Sequence, residues 1–189
     1  MKIRTIVLAS LLSAGTLFAG NYNVDSAHSN VAFKVQHLMI SNVKGQFDKF
    51  SGTFEYDEKT KSLVALHGDV DVNSINTQIE KRDTHLKSAD FFDVAKYPSM
   101  SLVLVKVEGN TAYLKLTMHG ITKDVKMELE TSGIVVKDPW GSTRTGLSLS
   151  GKINRKDFGL NWNQALETGG VLVADEVKIS IELEGILAK

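Results

Sequence analysis

Apolar and polar residues alternate one for one along most of this chain. In VAFKV, Val31, Phe33 and Val35 share one face, and His37 continues in phase with them. GTFEY repeats the pattern with Phe54 and Tyr56, extended backwards through Gly52 and Phe50. Phe47 has the opposite parity to Phe50, so the spacing predicts a bulge or bend near Asp48–Lys49. Val64, Leu66, Val70 and Val72 alternate with His67, Asp69 and Asp71. MSLVLVKVE begins apolar on both parities, the pattern of a strand covered on both sides. Leu114, Leu116 and Met118 follow, then Val125, Met127 and Leu129, then Leu147, Leu149 and Ile153, and last Val177, Ile179, Ile181 and Leu183. About eight antiparallel strands with short turns result, which implies a sandwich or a closed barrel. Closure is favoured, because strands this long would leave an aggregation-prone open edge.

The alternation breaks once, at QIEKRDTHLKSADFFD, between the third and fourth strands. Ile79, Arg82, Asp83 and Leu86 share a helical face there, which points a charged pair inward. Thr77 and Glu80 have the spacing of a capping box. The helix is expected to end near Ser88, with Phe91 and Phe92 anchoring a further turn before Tyr97–Pro98 restarts the sheet.

Composition narrows the picture. Lys2 and Arg4 precede the short apolar run IVLASLLSAGTLFA, the shape of a secretory signal peptide cut after Ala19. Residues 20–189 then form one domain with length for a real core. The chain has no cysteine, so disulfides, thiol chemistry and cysteine-based metal sites are excluded. Acids and bases number 22 each, and no broad basic field points to nucleic acid or anionic lipid. The histidines, His28, His37, His67, His85 and His119, lack helical metal-ligand spacing, so no metal or cofactor is expected. No G-x-S-x-G or glycine-rich phosphate loop occurs, and Asp69 and Asp71 lie on a polar strand face. No catalytic residue is assigned.

The blocks NVDSAHSNVAFKVQH, VKGQF, SINTQIEKRDTHLKSADFFDVAKYPSM, LTMHGITKDV and INRKDFGLNW resemble the YceI-like family of secreted bacterial proteins. The likeness runs in order across nearly the whole mature chain and is strongest to periplasmic epsilonproteobacterial members. Tyr22 stands where the family commonly has Trp. The resemblance implies an eight-stranded antiparallel lipocalin-like barrel, often a homodimer. It also implies a long apolar cavity for a polyisoprenoid or another long-chain amphiphile, such as a fatty acid or its amide.

On this reading the candidate ligand-binding residues come from the inward faces. Val31, Phe33, Val35 and His37 lie on one strand; Phe47 and Phe54 lie on the next; Leu66 and Val70 follow. Leu114, Leu116, Met118, Leu149, Ile179 and Ile181 complete the barrel, and Arg82, Asp83, Leu86 and Phe91 belong to the helical excursion. Each apolar member also suits an ordinary packed core, as eight strands enclose only a narrow interior. Gly45, Gly52, Gly68 and Gly151 inside strands favour open space or bending. Arg82 and Asp83 either tie the helix to the barrel or meet a headgroup at its mouth, where a guanidinium suits phosphate or carboxylate. Arg155 is expected to cap strand ends. The expected activity is carriage of a long apolar molecule with a polar head, in periplasmic or secreted form, with transient membrane contact for ligand exchange. The rivals are an enzyme acting on a lipid or isoprenoid through Arg82, Asp83 and His85, and a solidly packed interaction protein.

Overall fold

A computed structural model describes residues 19–167 and 169–189. The apolar leader falls on residues outside that range, except Ala19, which opens the first strand. The strands are β1 (Ala19–Val24), β2 (Asn30–His37), β3 (Ser41–Phe47), β4 (Phe50–Asp57), β5 (Ser62–Asp71) and β6 (Ile75–Asn76). The helix α1 (Glu80–Lys87) follows, then β7 (Ser99–Glu108), β8 (Thr111–Met118), β9 (Ile121–Thr131), β10 (Val136–Lys137), β11 (Thr143–Asn154) and β12 (Val173–Leu187).

Register turns these pieces into eight barrel staves. β12 pairs with β1 from Tyr22↔Leu187 to Val24↔Gly185, then with β2 from Asn30↔Glu182 to Val35↔Val177. β1 and β2 are therefore one stave, broken at residues 25–29. β3 returns along β2 and β4 along β1, so they too are one stave, broken at Asp48–Lys49 where the parity of Phe47 and Phe50 required it. The amides of Asp48 and Lys49 are satisfied there by Ser74 O and Ser74 Oγ, at 3.1 and 2.9 Å. From β4 the sheet continues through β5, β7, β8, β9 and β11 to β12, each antiparallel to its neighbour, and the β12 pairings close the ring.

Two local expectations fail. Val64 is exposed and Leu63 buried in its place. A register shift between Glu55 and Tyr56 in the β4–β5 ladder changes the parity there. The start of β7 is covered on one side only: Val103 and Val105 face solvent, and the β7–β8 register slips between Leu104 and Lys106.

The interior divides along the barrel axis. Around Tyr22 it is filled: Tyr22, Phe54, Tyr56, Leu66, Leu114, Leu129, Leu147 and Leu149 pack together, and Tyr22 stacks on Phe54 at 5.3 Å. Burial, with Glu58 next to it, pushes the Tyr22 phenol up to about 12. Beside α1 a second cluster forms from Phe47, Val72, Ile75, Met100, Leu116, Met118, Ile153, Phe158 and Leu160. Arg144 fastens the packed half, donating to Asp25 and Asp138 at 2.7 Å and to Glu184 at 2.5 Å.

Candidate ligand-binding site

The hollow lies in the second half of the barrel, where α1 and the turn after it close the end. Its walls alternate inward along the staves. β2 supplies Val31, Phe33 and Val35; β3 supplies Phe47; β5 supplies Val70. Met100 and Leu102 come from β7, Leu116 and Met118 from β8, Met127 from β9, Ile153 from β11, and Val173, Val177, Ile179 and Ile181 from β12. Leu86 of α1, with Phe91 and Phe92, forms the cap. The cavity measures about 150 Å³ and its lining is almost wholly apolar. At ~30 Å³ per water-sized group it holds about five methylene-sized units.

A cleft of about 430 Å³ opens beside it, between α1, the β2–β3 hairpin and the segment from Trp162 to Val173. Phe33, Val35, Leu86, Phe91 and Val173 border both spaces and form the partition between them. His37, Val43, Ile79, Lys81, Arg82, His85, Trp162 and Leu172 complete the cleft. His85, Phe91 and Trp162 make an aromatic cluster with centroids 4.9 to 5.1 Å apart. His85 Nε2 is also 2.8 Å from the Asp90 carboxylate. Ile40 and Met39, at the β2–β3 tip, and Ile79 and Val171 are exposed apolar residues at this end. Larger concavities, led by one of about 1020 Å³, lie on the outer face of the sheet.

The charged pair on α1 has a structural explanation. Asp83 Oδ1 accepts from Thr77 N at 2.9 Å and from Thr77 Oγ1 at 2.5 Å. Arg82 Nε donates to Thr77 Oγ1 and its Nη2 donates to Thr77 O, both at 2.7 Å. Thr77 is 4% exposed, so this clasp satisfies a buried backbone corner where the chain leaves β6. The expected capping box does not form: the N-cap is Ile79, without a side-chain cap, and the Thr77 hydroxyl is spent on Arg82 and Asp83. Ser88 Oγ, 3.3 Å from Asp90 N, begins the following turn.

Arg155 is the polar group behind the cavity wall, 4% exposed. Its guanidinium donates to the carbonyls of Leu160, Trp162, Ala174 and Val173 and reaches Asp175 at 3.4 Å. Burial lowers its pKa from the usual guanidinium range, and Asp175 opposes that. With its donors turned to backbone, it pins the segment before β12.

The sequence-derived candidates therefore divide. Val31, Phe33, Val35, Phe47, Val70, Leu86, Phe91, Leu116, Met118, Ile179 and Ile181 line the cavity. His37 and Arg82 line the cleft. Leu66 borders a separate void of about 50 Å³. Phe54, Leu114 and Leu149 are buried in the packed half, where a passage along the whole barrel was expected. Asp83 faces Thr77 and lines neither space. Residues not singled out as ligand contacts include Met100, Leu102, Val173, Val177, Leu172 and Trp162. Val177 was legible from its alternation with Ile179; Leu172 and Trp162 lie in irregular chain without a periodic signal.

Among the described residues one group has metal-ligating geometry: Asp25, His28 and Glu184 converge. Arg144 Nη1 already binds both carboxylates, so a cation occupies that position in covalent form. The Arg144 hydrogen bond, followed by that of His28, holds the Asp25 carboxyl down to about 2.

The fold and pocket thus define a small closed antiparallel barrel with an apolar chamber at one end, capped by a helical excursion. The chain belongs to the YceI-like family, whose domain model matches residues 22–185. It is 39% identical over 164 residues to a UPF0312 protein of Staphylococcus aureus, covering 87% of this chain and 96% of that one. The crystal structure of a Campylobacter jejuni YceI protein matches with a TM-score of 0.71 at 33% identity, covering 87% and 96% of the two chains. A polyisoprenoid-binding domain from Saccharophagus degradans shares the fold, with a TM-score of 0.65 at 17% identity over 88% and 98%.

Proposed function

We propose that this protein binds and carries a long-chain amphiphile, a polyisoprenoid or a fatty acid or amide, with its apolar end in the chamber. The observation that carries the proposal is the apolar cavity of about 150 Å³ adjoining a cleft of about 430 Å³, with Phe33, Val35, Leu86, Phe91 and Val173 bordering both. About five methylene-sized units fit inside, each worth roughly 0.8 kcal/mol on burial. The rest of the chain lies along the cleft beneath α1. There, Arg82 has Nε and Nη2 committed to Thr77, and its Nη1 makes no hydrogen bond among the described residues. That edge and Lys81 suit an acidic headgroup. The polyisoprenoid-binding neighbour supports the same ligand class.

Carriage fits better than catalysis. Among the described residues the inner lining offers no acid–base pair, and Arg155 is taken up by carbonyls. A periplasmic or secreted location, a homodimer, a stress-related role and brief membrane contact during exchange belong to this proposal, resting on the leader sequence and the family.

Native mass spectrometry of protein purified from its producing host tests it. A co-purifying long apolar molecule, removable by organic solvent and restored by titration, is the expected result. An empty protein that takes up no alkyl chain after solvent treatment overturns it. Chemical conversion of the bound molecule, abolished by Arg82→Ala in a folded protein, would replace carriage with an enzyme.

A further inference from the structure

The outer face of the barrel carries an arrangement that the pocket does not use. In the β2–β3 ladder Lys34 faces Lys44, in β2–β12 it faces Lys178, and in β12–β11 Lys178 faces Lys152. Met127 of β9 faces Gly151 of β11, which brings their neighbours Lys126 and Lys152 onto the next shared outward level. Five lysines thus cross five adjacent strands in one row, Lys44–Lys34–Lys178–Lys152–Lys126, about 19 Å long at the usual strand spacing. Like charges directly opposite one another in a sheet destabilise it. Lys152 pairs with Glu176 at 3.1 Å and Lys126 Nζ lies 5.1 Å from the Tyr113 ring centroid, whereas Lys34, Lys44 and Lys178 form no ion pair among the described residues.

The row lies in a concavity of about 1020 Å³. Ala32, Ser150 and Ser180, on the neighbouring outward level, keep its floor low, and the segment from Asn76 to Gln78 borders it. Among the described residues its one acid is Glu128. No arginine among the described residues lines it, so recognition here is by charge density along a line.

We propose that this trough binds a linear, phosphate-bearing polyanion running across the strands, independently of the amphiphile in the barrel. Its concavity and single-file cations suit a flexible chain of phosphates better than a flat bilayer surface. The lysines act as point charges, so each contact releases counterions and binding weakens steeply with salt.

The test uses the full chain and sodium polyphosphate as the probe, followed by calorimetry from low to moderate salt. Phosphatidylglycerol vesicles serve as the second source of the same chemistry. Wild type is expected to bind polyphosphate, with log Kd against log salt changing by roughly 0.7 for each lysine engaged. Lys178→Gln and Lys34→Gln should each weaken binding about fivefold and reduce that slope. The same substitutions should raise, or leave unchanged, the low-salt melting temperature, because they relieve like-charge neighbours. Wild type that fails to bind polyphosphate overturns the proposal, as does binding that both variants retain unchanged. Vesicle binding stronger than polyphosphate binding, with the same loss in the variants, reassigns the row to a membrane and overturns it as stated. Alkyl-chain uptake by the barrel, measured on the same variants, should stay at the wild-type value; its failure in wild type would speak against carriage alone.

Discussion

Replacing Val177 by Phe fills the chamber from within. Val177 points inward on β12, faces Val35 and Ile153 across its two ladders, and lines the void. A phenyl ring in place of two methyls adds a net four carbons within the 150 Å³ space and so displaces the alkyl segment from it. If about five methylene-sized units enter that space at roughly 0.8 kcal/mol each, the chamber contributes on the order of 4 kcal/mol. That is about a thousandfold in Kd. The gain is graded: in a series of alkyl chains of increasing length, affinity of the solvent-extracted protein should rise about fourfold per carbon until the chamber is full. Beyond that, the increment should shrink to what the open cleft provides. Val177→Phe should remove the steep part of the series and weaken the longest chains by a hundredfold or more. Its folding stability should stay within about 1.5 kcal/mol of wild type, because the ring enters a void and not a packed core. Titration calorimetry reads the affinities and urea unfolding the stability. A variant that is folded, fills the chamber and keeps the wild-type chain-length dependence would refute the claim that the alkyl end sits there.

Four further outcomes follow from the same geometry. Leu114→Ala, in the packed half and 1% exposed, should cost about 2–5 kcal/mol in urea unfolding yet leave alkyl affinity nearly unchanged. Thr77→Val removes the hydroxyl shared by Arg82 and Asp83, and should cost about 1–3 kcal/mol and speed amide hydrogen exchange selectively in α1. Gly45→Ala places a methyl against the Phe33 ring and Thr77 Cγ2, and so should push Phe33 toward the partition and lower both stability, by about 1–3 kcal/mol, and alkyl affinity. Asp25, held at about 2 by Arg144, contributes stability that is complete above the ordinary carboxylate pKa of about 4 and is lost as pH falls through about 2. Arg144 depresses Asp138 as well, so Arg144→Gln should lower the neutral-pH melting temperature and flatten its fall between those limits.

The eight staves were legible because period-two patterning is imposed by the pleat, and the bend at Asp48–Lys49 showed as a change of parity between Phe47 and Phe50. The same rule misread Val64, since a register slip is set by the partner strand and not by the residue's own neighbours. Inward parity also could not tell lining from filling. Leu114 and Leu116 are two residues apart on one face of β8, but only Leu116 borders the cavity. What separates them is distance along the barrel axis from Tyr22, Phe54 and Tyr56, whose rings occupy the other half. Arg82 and Asp83 looked exceptional because the helical wheel turned charge inward, yet their shared target is Thr77, a buried hydroxyl whose spacing resembled a cap.

The lysine row shows a different limit of sequence reasoning. Equal numbers of acids and bases give no net field, and although Lys34 and Lys44 share one hairpin, Lys126, Lys152 and Lys178 are far from them and from one another in the chain. They become neighbours only through four ladders, and within each strand a lysine at an outward position is the commonest way to keep a surface soluble. Chance placement would cost nothing if acids stood opposite; β9 and β11 supply Glu128 opposite Ser150, one level away. A sheet that could have paired Glu128 with Lys152 by a shift of one level instead aligns cation with cation. That two-residue shift would keep Met127 inward but set it opposite Ile153 in place of Gly151, over which its side chain packs, so the interior holds the outer row in register. Neutralising its lysines therefore changes charge without disturbing the barrel, and any binding lost with them belongs to the row itself.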